Sequence, residues 1–289
     1  MTRVADVRAE LSKRFEAAGV PMPFLEADRI IGGILGVSRA SLYAHPERGI
    51  SFPIESRIRE SASRRISGEP LSYILGDAIF LGRRFIVGGS VLIPRTETEI
   101  LAEIASGLLT KDGAVFADWC TGSGCIAVTL LAERPSSRGY AADVSAGALD
   151  TARRSAALHG VESRIEFIQC EDPDGAEGII PRDSLDLVVM NPPYIPSETI
   201  KTLEVQVRDY EPRLALDGGP DGLDVFRKLL PGIPGLMKPG APLAAETGGG
   251  GQLRELRALA ERTAPDLEFV NILPDHRSID RFMLWRKRV

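Results

Sequence analysis

The sequence predicts an α/β fold, a mostly parallel sheet preceded by a small helical region. Three observations predict it. From about residue 97 the chain alternates buried-strand runs with helical stretches. Its last two strand runs, 269–273 and 281–285, follow one another with no helix between them. Residues 1 to about 75 show helical periodicity alone. Parallel neighbours need crossover helices, so repeated β-α units imply a parallel sheet, and a closing β-β pair implies one antiparallel strand.

The elements follow in order. Val7, Leu11, Phe15 and Ala18 recur at helical spacing, and Gly19-Val20-Pro21 stops that helix. Ile30, Ile31 and Ile34 carry a second stripe over 25–35, closed by Gly36. Ile54, Ile58, Ala62 and Ile66 carry another, closed by Gly68, and Arg57, Arg59, Arg64 and Arg65 beside it predict a solvated face. Short apolar runs broken by Gly76, Gly82, Gly88 and Gly89 predict a hairpin-rich connector over 73–95. Strands are expected over 114–119, 139–144, 164–170, 184–190 and 241–247. Helices are expected over 124–133, 146–159 and 252–264, with a proline-interrupted helical stretch at 223–237. The predicted domains are 1–75 (helical), 76–96 (hairpin linker) and 97–289 (sheet domain).

With 44% hydrophobic and 26% charged positions, the composition is that of a globular protein and excludes collagen-like, coiled-coil and disordered classes. A net charge of −5 argues against a broad basic coat for nucleic acid. Cys120, Cys125 and Cys170 form an odd set with no C-x-x-C pair, and the histidines His45, His159 and His276 show no ligand spacing. No disulfide framework and no metal are therefore expected, and a reducing, cytoplasmic setting is. No apolar run reaches the roughly 18–20 residues of a membrane span. Asp6, Glu10 and Glu16 do not suit a signal or transit peptide.

The first strand of the sheet domain runs into Asp118-Trp119-Cys120-Thr121-Gly122-Ser123-Gly124. Glycines let the backbone turn sharply and let a ligand approach the main chain, and the helix that follows points free N–H groups into that space. Asp143 ends the next strand, nineteen residues after Gly124, where an acid can accept both hydroxyls of a ribose. Gly122-Ser-Gly124-Cys-Ile-Ala127 also fits the dinucleotide fingerprint. Asp118, four residues before Gly122, favours S-adenosylmethionine (AdoMet) instead, because it matches the D/E-x-G-x-G-x-G loop of AdoMet methyltransferases. No hydride-transfer motif follows. Cys120 stands where that loop usually has its first glycine.

The fourth strand ends in Asn191-Pro192-Pro193-Tyr194. Prolines lack the N–H that a central strand needs, so this string is a rigid turn at the sheet edge. An sp² nitrogen is a poor nucleophile because its lone pair is delocalised. The Asn191 side-chain oxygen and the Pro192 carbonyl can grip its hydrogens and favour pyramidal nitrogen as charge develops. Tyr194 can stack on the planar group and favour a sulfonium cation. The expected chemistry is methyl transfer to an amide or exocyclic nitrogen.

These motifs resemble those of the HemK/PrmC-type protein-(glutamine-N5) methyltransferases. Gly68-Glu-Pro-Leu-Ser-Tyr-Ile-Leu-Gly76, Leu92-Ile-Pro-Arg-Thr-Glu-Thr-Glu99, Tyr210-Glu-Pro-Arg-Leu-Ala-Leu216 and Asp221-Gly-Leu-Asp224 are similar to the family's strings, and 191–194 matches its catalytic tetrapeptide fully. The resemblance implies a helical docking domain for peptide chain release factors, a hairpin linker and a seven-stranded class I AdoMet-dependent methyltransferase domain. It implies the glutamine of the release factor's Gly-Gly-Gln loop as substrate. It places Cys120, Thr121, Gly122, Ser123, Gly124 and Asp143 at the cofactor, Glu171 or Asp172 near the adenine, and Asn191 against both cofactor and substrate. Pro192, Pro193 and Tyr194 fall on the glutamine-binding positions.

The chief alternative is a nucleic-acid amino-methyltransferase, since the same tetrapeptide logic serves an adenine or guanine amine after base flipping. Net acidity and the absence of an evident RNA-binding motif argue against nucleic acid as the direct substrate. A non-catalytic binding module is disfavoured by the intact tetrapeptide. A monomer is expected. The chain's own Gly250-Gly251-Gln252 reads as a coincidence with the substrate tripeptide.

Overall fold

The computed structural model describes residues 1–289 in two compact units: Met1–Asp77 with Glu204–Tyr210, and Ala78–Leu203 with Glu211–Val289.

The first unit contains α1 (Val4–Ala17), α2 (Pro23–Leu35), α3 (Arg39–Ala44), α4 (Phe52–Ile66) and α5 (Leu71–Leu75), with the short antiparallel pair β1 (Thr2–Arg3) and β2 (Gly49–Ile50). Pro23 opens α2 where a missing N–H costs nothing, and Gly36 closes it in the left-handed region at φ +65°. The expected stripes meet in one core: Val7, Leu11 and Phe15 of α1, Ile30 and Ile31 of α2, Ile58 and Ala62 of α4. The solvated-face expectation fails at Arg65, which is buried and forked onto Glu26, while Ile66 is exposed. A bidentate carboxylate satisfies the guanidinium, so an arginine takes the buried position one turn after Ala62. Arg64 pairs with Glu69, and Arg59 with Glu10 and Glu55.

The second unit opens with the hairpin β3 (Asp77–Phe80) and β4 (Arg83–Ile86), then α6 (Thr96–Leu108). Its seven-stranded sheet uses β5 (Val115–Trp119), β6 (Arg138–Asp143), β7 (Ile165–Gln169), β8 (Leu187–Met190), β9 (Pro242–Glu246), β10 (Leu267–Pro274) and β11 (Asp280–Lys287) in the order β10-β11-β9-β8-β5-β6-β7. Strands β5 to β9 pair in parallel, and β11 is antiparallel to both β9 and β10. This is the class I methyltransferase fold, as expected. Its further helices are α7 (Cys125–Glu133), α8 (Ala146–Leu158), α9 (Ser197–Ile200), α11 (Asp224–Leu229), α12 (Ile233–Leu236) and α13 (Gly251–Thr263), while α10 (Val205–Arg208) belongs to the first unit.

Strand alternation decides which face each side chain meets. Ala117 and Trp119 of β5 and Val188 and Met190 of β8 pack with α11, α12 and α13. Phe116 of β5 and Leu187 and Val189 of β8 pack with α6 and α7 on the other face. Both faces are covered, which is why these strands read as continuous apolar runs. Since β5 lies between β6 and β8, the chain departs from it to opposite sides, and a crevice opens beyond the carboxyl ends of these strands.

Candidate active site

The loop leaving β5 is left-handed at Cys120 (φ +61°), Gly122 (φ +55°) and Gly124 (φ +78°). A side chain in that region costs about 1–2 kcal/mol, which is the physical reason a glycine would suit position 120. The loop is pinned from below. Thr121 donates its N–H to the Ala142 carbonyl (3.1 Å) and its hydroxyl to Asp118 Oδ2 (2.7 Å), which also accepts the Ala127 N–H at 3.2 Å. Asp118 is buried, and its Oδ1 has no hydrogen-bond partner. Burial pushes its carboxyl up to about 7. Asp143, at the end of β6, accepts the Gly122 N–H on Oδ2 (3.0 Å) and the Ser145 N–H on Oδ1 (2.9 Å). Burial raises this carboxyl too, against the pull of those N–H groups.

A cavity of about 250 Å³ opens over this loop. Cys120, Thr121, Gly122, Ser123, Asp143, Glu171, Asn191 and Pro193 line it, so most residues singled out in the sequence share one space. Gly124, Asp172, Pro192 and Tyr194 are not among its walls. Gly124 sits behind the loop, where a Cβ would meet that of Ala152 at 3.1 Å. Asp172 caps the short turn Pro173–Ala176 through the Gly175 N–H at 3.0 Å, whereas Glu171 pairs with Lys228.

The tetrapeptide leaves β8 beside the β5 loop. The residue after it is held from the 216–224 segment: Ile195 donates to the Leu216 carbonyl (3.0 Å), and Gly218 to the Ile195 carbonyl (2.9 Å). Gly222, at φ +79°, passes so close to the Tyr194 carbonyl and the Gln252 amide that any Cβ would overlap them. The Gln252 amide donates to the Tyr194 carbonyl at 2.9 Å and accepts the Gly248 N–H at 2.7 Å. The Gly-Gly-Gln string is thus a brace for the tetrapeptide, its amide already engaged.

Three further residues were not assigned a role from the sequence. Glu246, at the end of β9, is buried and accepts from Thr98 Oγ1 (2.9 Å) and Tyr194 Oη (3.0 Å). Thr98 in turn accepts from Asn191 Nδ2 at 3.0 Å. Burial lifts Glu246 to about 7, and burial next to Glu246 raises Tyr194 as well. Glu211 takes Arg95 at 2.5 Å and the Ile93 N–H at 3.3 Å, tying Leu92-Ile-Pro-Arg to Tyr210-Glu-Pro-Arg. Their meeting gives a physical reason for both strings.

Comparison with known proteins fits this geometry. Residues 6–76 match the model of the PrmC N-terminal domain, and residues 97–208 that of the methyltransferase small domain. A protein of Chlorobaculum tepidum named release factor glutamine methyltransferase is 38% identical over 92% of this chain and 91% of its own. One of the same name from Cereibacter sphaeroides is 38% identical over 97% of both. The chain belongs to the release factor glutamine methyltransferase family. Among solved structures, the hMettl16 catalytic domain, in complex with MAT2A 3'UTR hairpin 6, aligns with a TM-score of 0.54 at 13% identity, covering 81% of this chain and 82% of that one. At that identity the likeness is one of fold, and the family membership rests on the release factor glutamine methyltransferases.

Proposed function

We propose that the protein transfers the methyl group of AdoMet to the side-chain nitrogen (N5) of the glutamine in the Gly-Gly-Gln loop of peptide chain release factors. The observation that carries the proposal is the shared cavity. Asn191 opens the tetrapeptide beyond β8, beside the glycine loop of β5, and both face the space that Asp143 lines.

The residues present suit the cofactor. Each Asp143 oxygen already takes one backbone N–H and keeps a second lone pair, the pair of acceptors that vicinal ribose hydroxyls require. A Cβ at Gly122 would meet open space, so a ligand can come close to this backbone. When bound, AdoMet supplies an electrophilic methyl on a sulfonium. The chain's own groups do the rest. Asn191 Oδ1 and the Pro192 carbonyl grip the glutamine N–H groups and turn the nitrogen toward the cofactor site. Pro193 and the Tyr194 ring enclose the carboxamide. No general base is needed before attack, because the proton leaves after the nitrogen becomes cationic. Fixing two reactants in line supplies up to roughly 7–11 kcal/mol of the barrier. Residues 1–75 form the docking part for the release factor, 76–96 the linker and 97–289 the catalytic part, acting as a cytoplasmic monomer. No helix is long and apolar enough to cross a membrane.

The test is transfer of a labelled methyl from AdoMet to a purified release factor. Replacing the acceptor glutamine is expected to abolish labelling. Labelling of RNA or DNA with the release factor left unlabelled would overturn the proposal in favour of a nucleic-acid amine.

A further inference from the structure

We infer that Thr98 and Glu246 are positioning residues that decide which end of the Asn191 carboxamide faces the acceptor glutamine. The inference rests on the proposed reaction for its purpose, and on hydrogen-bond direction for its content. The oxygen and nitrogen of a carboxamide have nearly the same shape, so only their partners distinguish the two orientations. One orientation offers the substrate N–H an acceptor. The other offers it a second donor, and the grip is lost.

The direction is imposed from the buried end. A hydroxyl has one hydrogen, and Thr98 gives its hydrogen to Glu246 Oε2 at 2.9 Å. Thr98 can then only accept, and the group it meets at 3.0 Å is Asn191 Nδ2. The carboxamide oxygen is left for the cavity that Asn191 lines. Tyr194 donates to the other oxygen of the same carboxylate at 3.0 Å. One buried acid therefore orders the first and last members of the tetrapeptide together. A proton on Oε1 would reverse the Tyr194 bond and leave Oε2 an acceptor, so the Asn191 end keeps its direction. Thr98 comes from the first turn of α6, Glu246 from the end of β9 and Asn191 from the residue just after β8. The relay depends on the fold, not on a local sequence motif.

The chain contains only two asparagines, Asn191 and the exposed Asn271. Selective ¹⁵N labelling of asparagine side chains therefore gives two amide pairs in a heteronuclear NMR spectrum, one at the site and one serving as folding control. In the native protein the Asn191 pair should be resolved and exchange with solvent at least tenfold more slowly than the Asn271 pair. Thr98→Val removes the acceptor at nearly constant volume. It should abolish that protection and leave Asn271 unchanged, while Thr98→Ser restores the native pattern. Glu246→Met should behave as Thr98→Val does. In steady-state assays Thr98→Val should lower kcat tenfold or more with AdoMet Kd within twofold, and add nothing further in an Asn191→Ala background. Protection of Asn191 that survives Thr98→Val, or a loss that adds in full to that of Asn191→Ala, would overturn the inference. The NMR measurement uses no substrate, so it stands or falls separately from the release-factor assay.

Discussion

In the proposed reaction Asn191 supplies the acceptor that grips the substrate amide, and it lines the cavity while its Nδ2 donates to Thr98. Losing such an acceptor costs about 1–3 kcal/mol, and charge development makes the loss felt in the transition state. Asn191→Ala is expected to lower turnover tenfold or more at saturating AdoMet, while calorimetric titration still finds AdoMet bound. Loss of binding with turnover intact at saturation would refute the assigned role. The left-handed backbone at Cys120 tolerates glycine and resists a β-branched side chain. Cys120→Val should therefore be less stable than Cys120→Gly by about 1–2 kcal/mol in denaturant unfolding; equal midpoints would rule out the left-handed turn. Asn191 and Asp143 were legible in the sequence because each lies inside a string whose spacing carries meaning. Thr98 lies in the quoted 92–99 string and Glu246 in no string, and neither shows a role there, because both acquire it only when α6 and β9 converge on the end of β8.

At the scale of elements, the site is a set of strand ends braced by loops. Two glycines with the same backbone angle separate strain from collision. Gly222 and Gly240 both have φ +79°, but a Cβ at Gly222 would overlap the Tyr194 carbonyl, whereas at Gly240 it would meet nothing within 4 Å. Gly240→Ala should cost about 1 kcal/mol from conformation alone. Gly222→Ala should cost a further 1–3 kcal/mol from overpacking and depress kcat, because the overlap displaces the tetrapeptide. Similar stabilities for the two variants would show that the 216–224 segment does not brace the turn. The β-α order was readable because buried parallel strands are long apolar runs and crossover helices separate them. Helices α9 and α10 were not: four residues each cannot display a 3.6-residue period. Ile66 misled for a related reason, since periodicity counts apolar residues and does not register that Glu26 makes Arg65 acceptable inside.

Across the molecule two sets of acids respond to pH in opposite directions, and the lowered set is found in both units, with Asp186, Asp217, Asp221 and Asp275 in the second. In the first unit burial pushes Asp28 up, but hydrogen bonds from Arg8, Arg39 and Tyr43 outweigh it and hold the carboxyl below its ordinary range. The hydrogen bond from Arg3 to Asp6, and those from Thr2 and Arg59 to Glu55, lower those acids as well. Such groups stabilise the fold above their unfolded pKa and lose that contribution only as pH falls through the folded value, in the acid range. The second unit holds the acids that burial raises: Asp118 and Glu246 to about 7, with Asp143 and Glu211 shifted the same way. For Asp118 and Glu246, between unfolded values near 4 and about 7, the folded form binds more protons than the unfolded chain. Their contribution is therefore full below that interval and declines as pH rises through it, by up to about 1.4 kcal/mol per pH unit for each group. Both tryptophans, Trp119 and Trp285, are buried in the second unit, so their fluorescence follows that unit alone. The urea midpoint read by tryptophan should fall from pH 5.5 to pH 8, and Glu246→Gln, which removes one titrating group, should make the fall shallower. A midpoint that rises over this interval, or a slope unchanged in Glu246→Gln, would mean that the buried acids do not keep their protons in the fold.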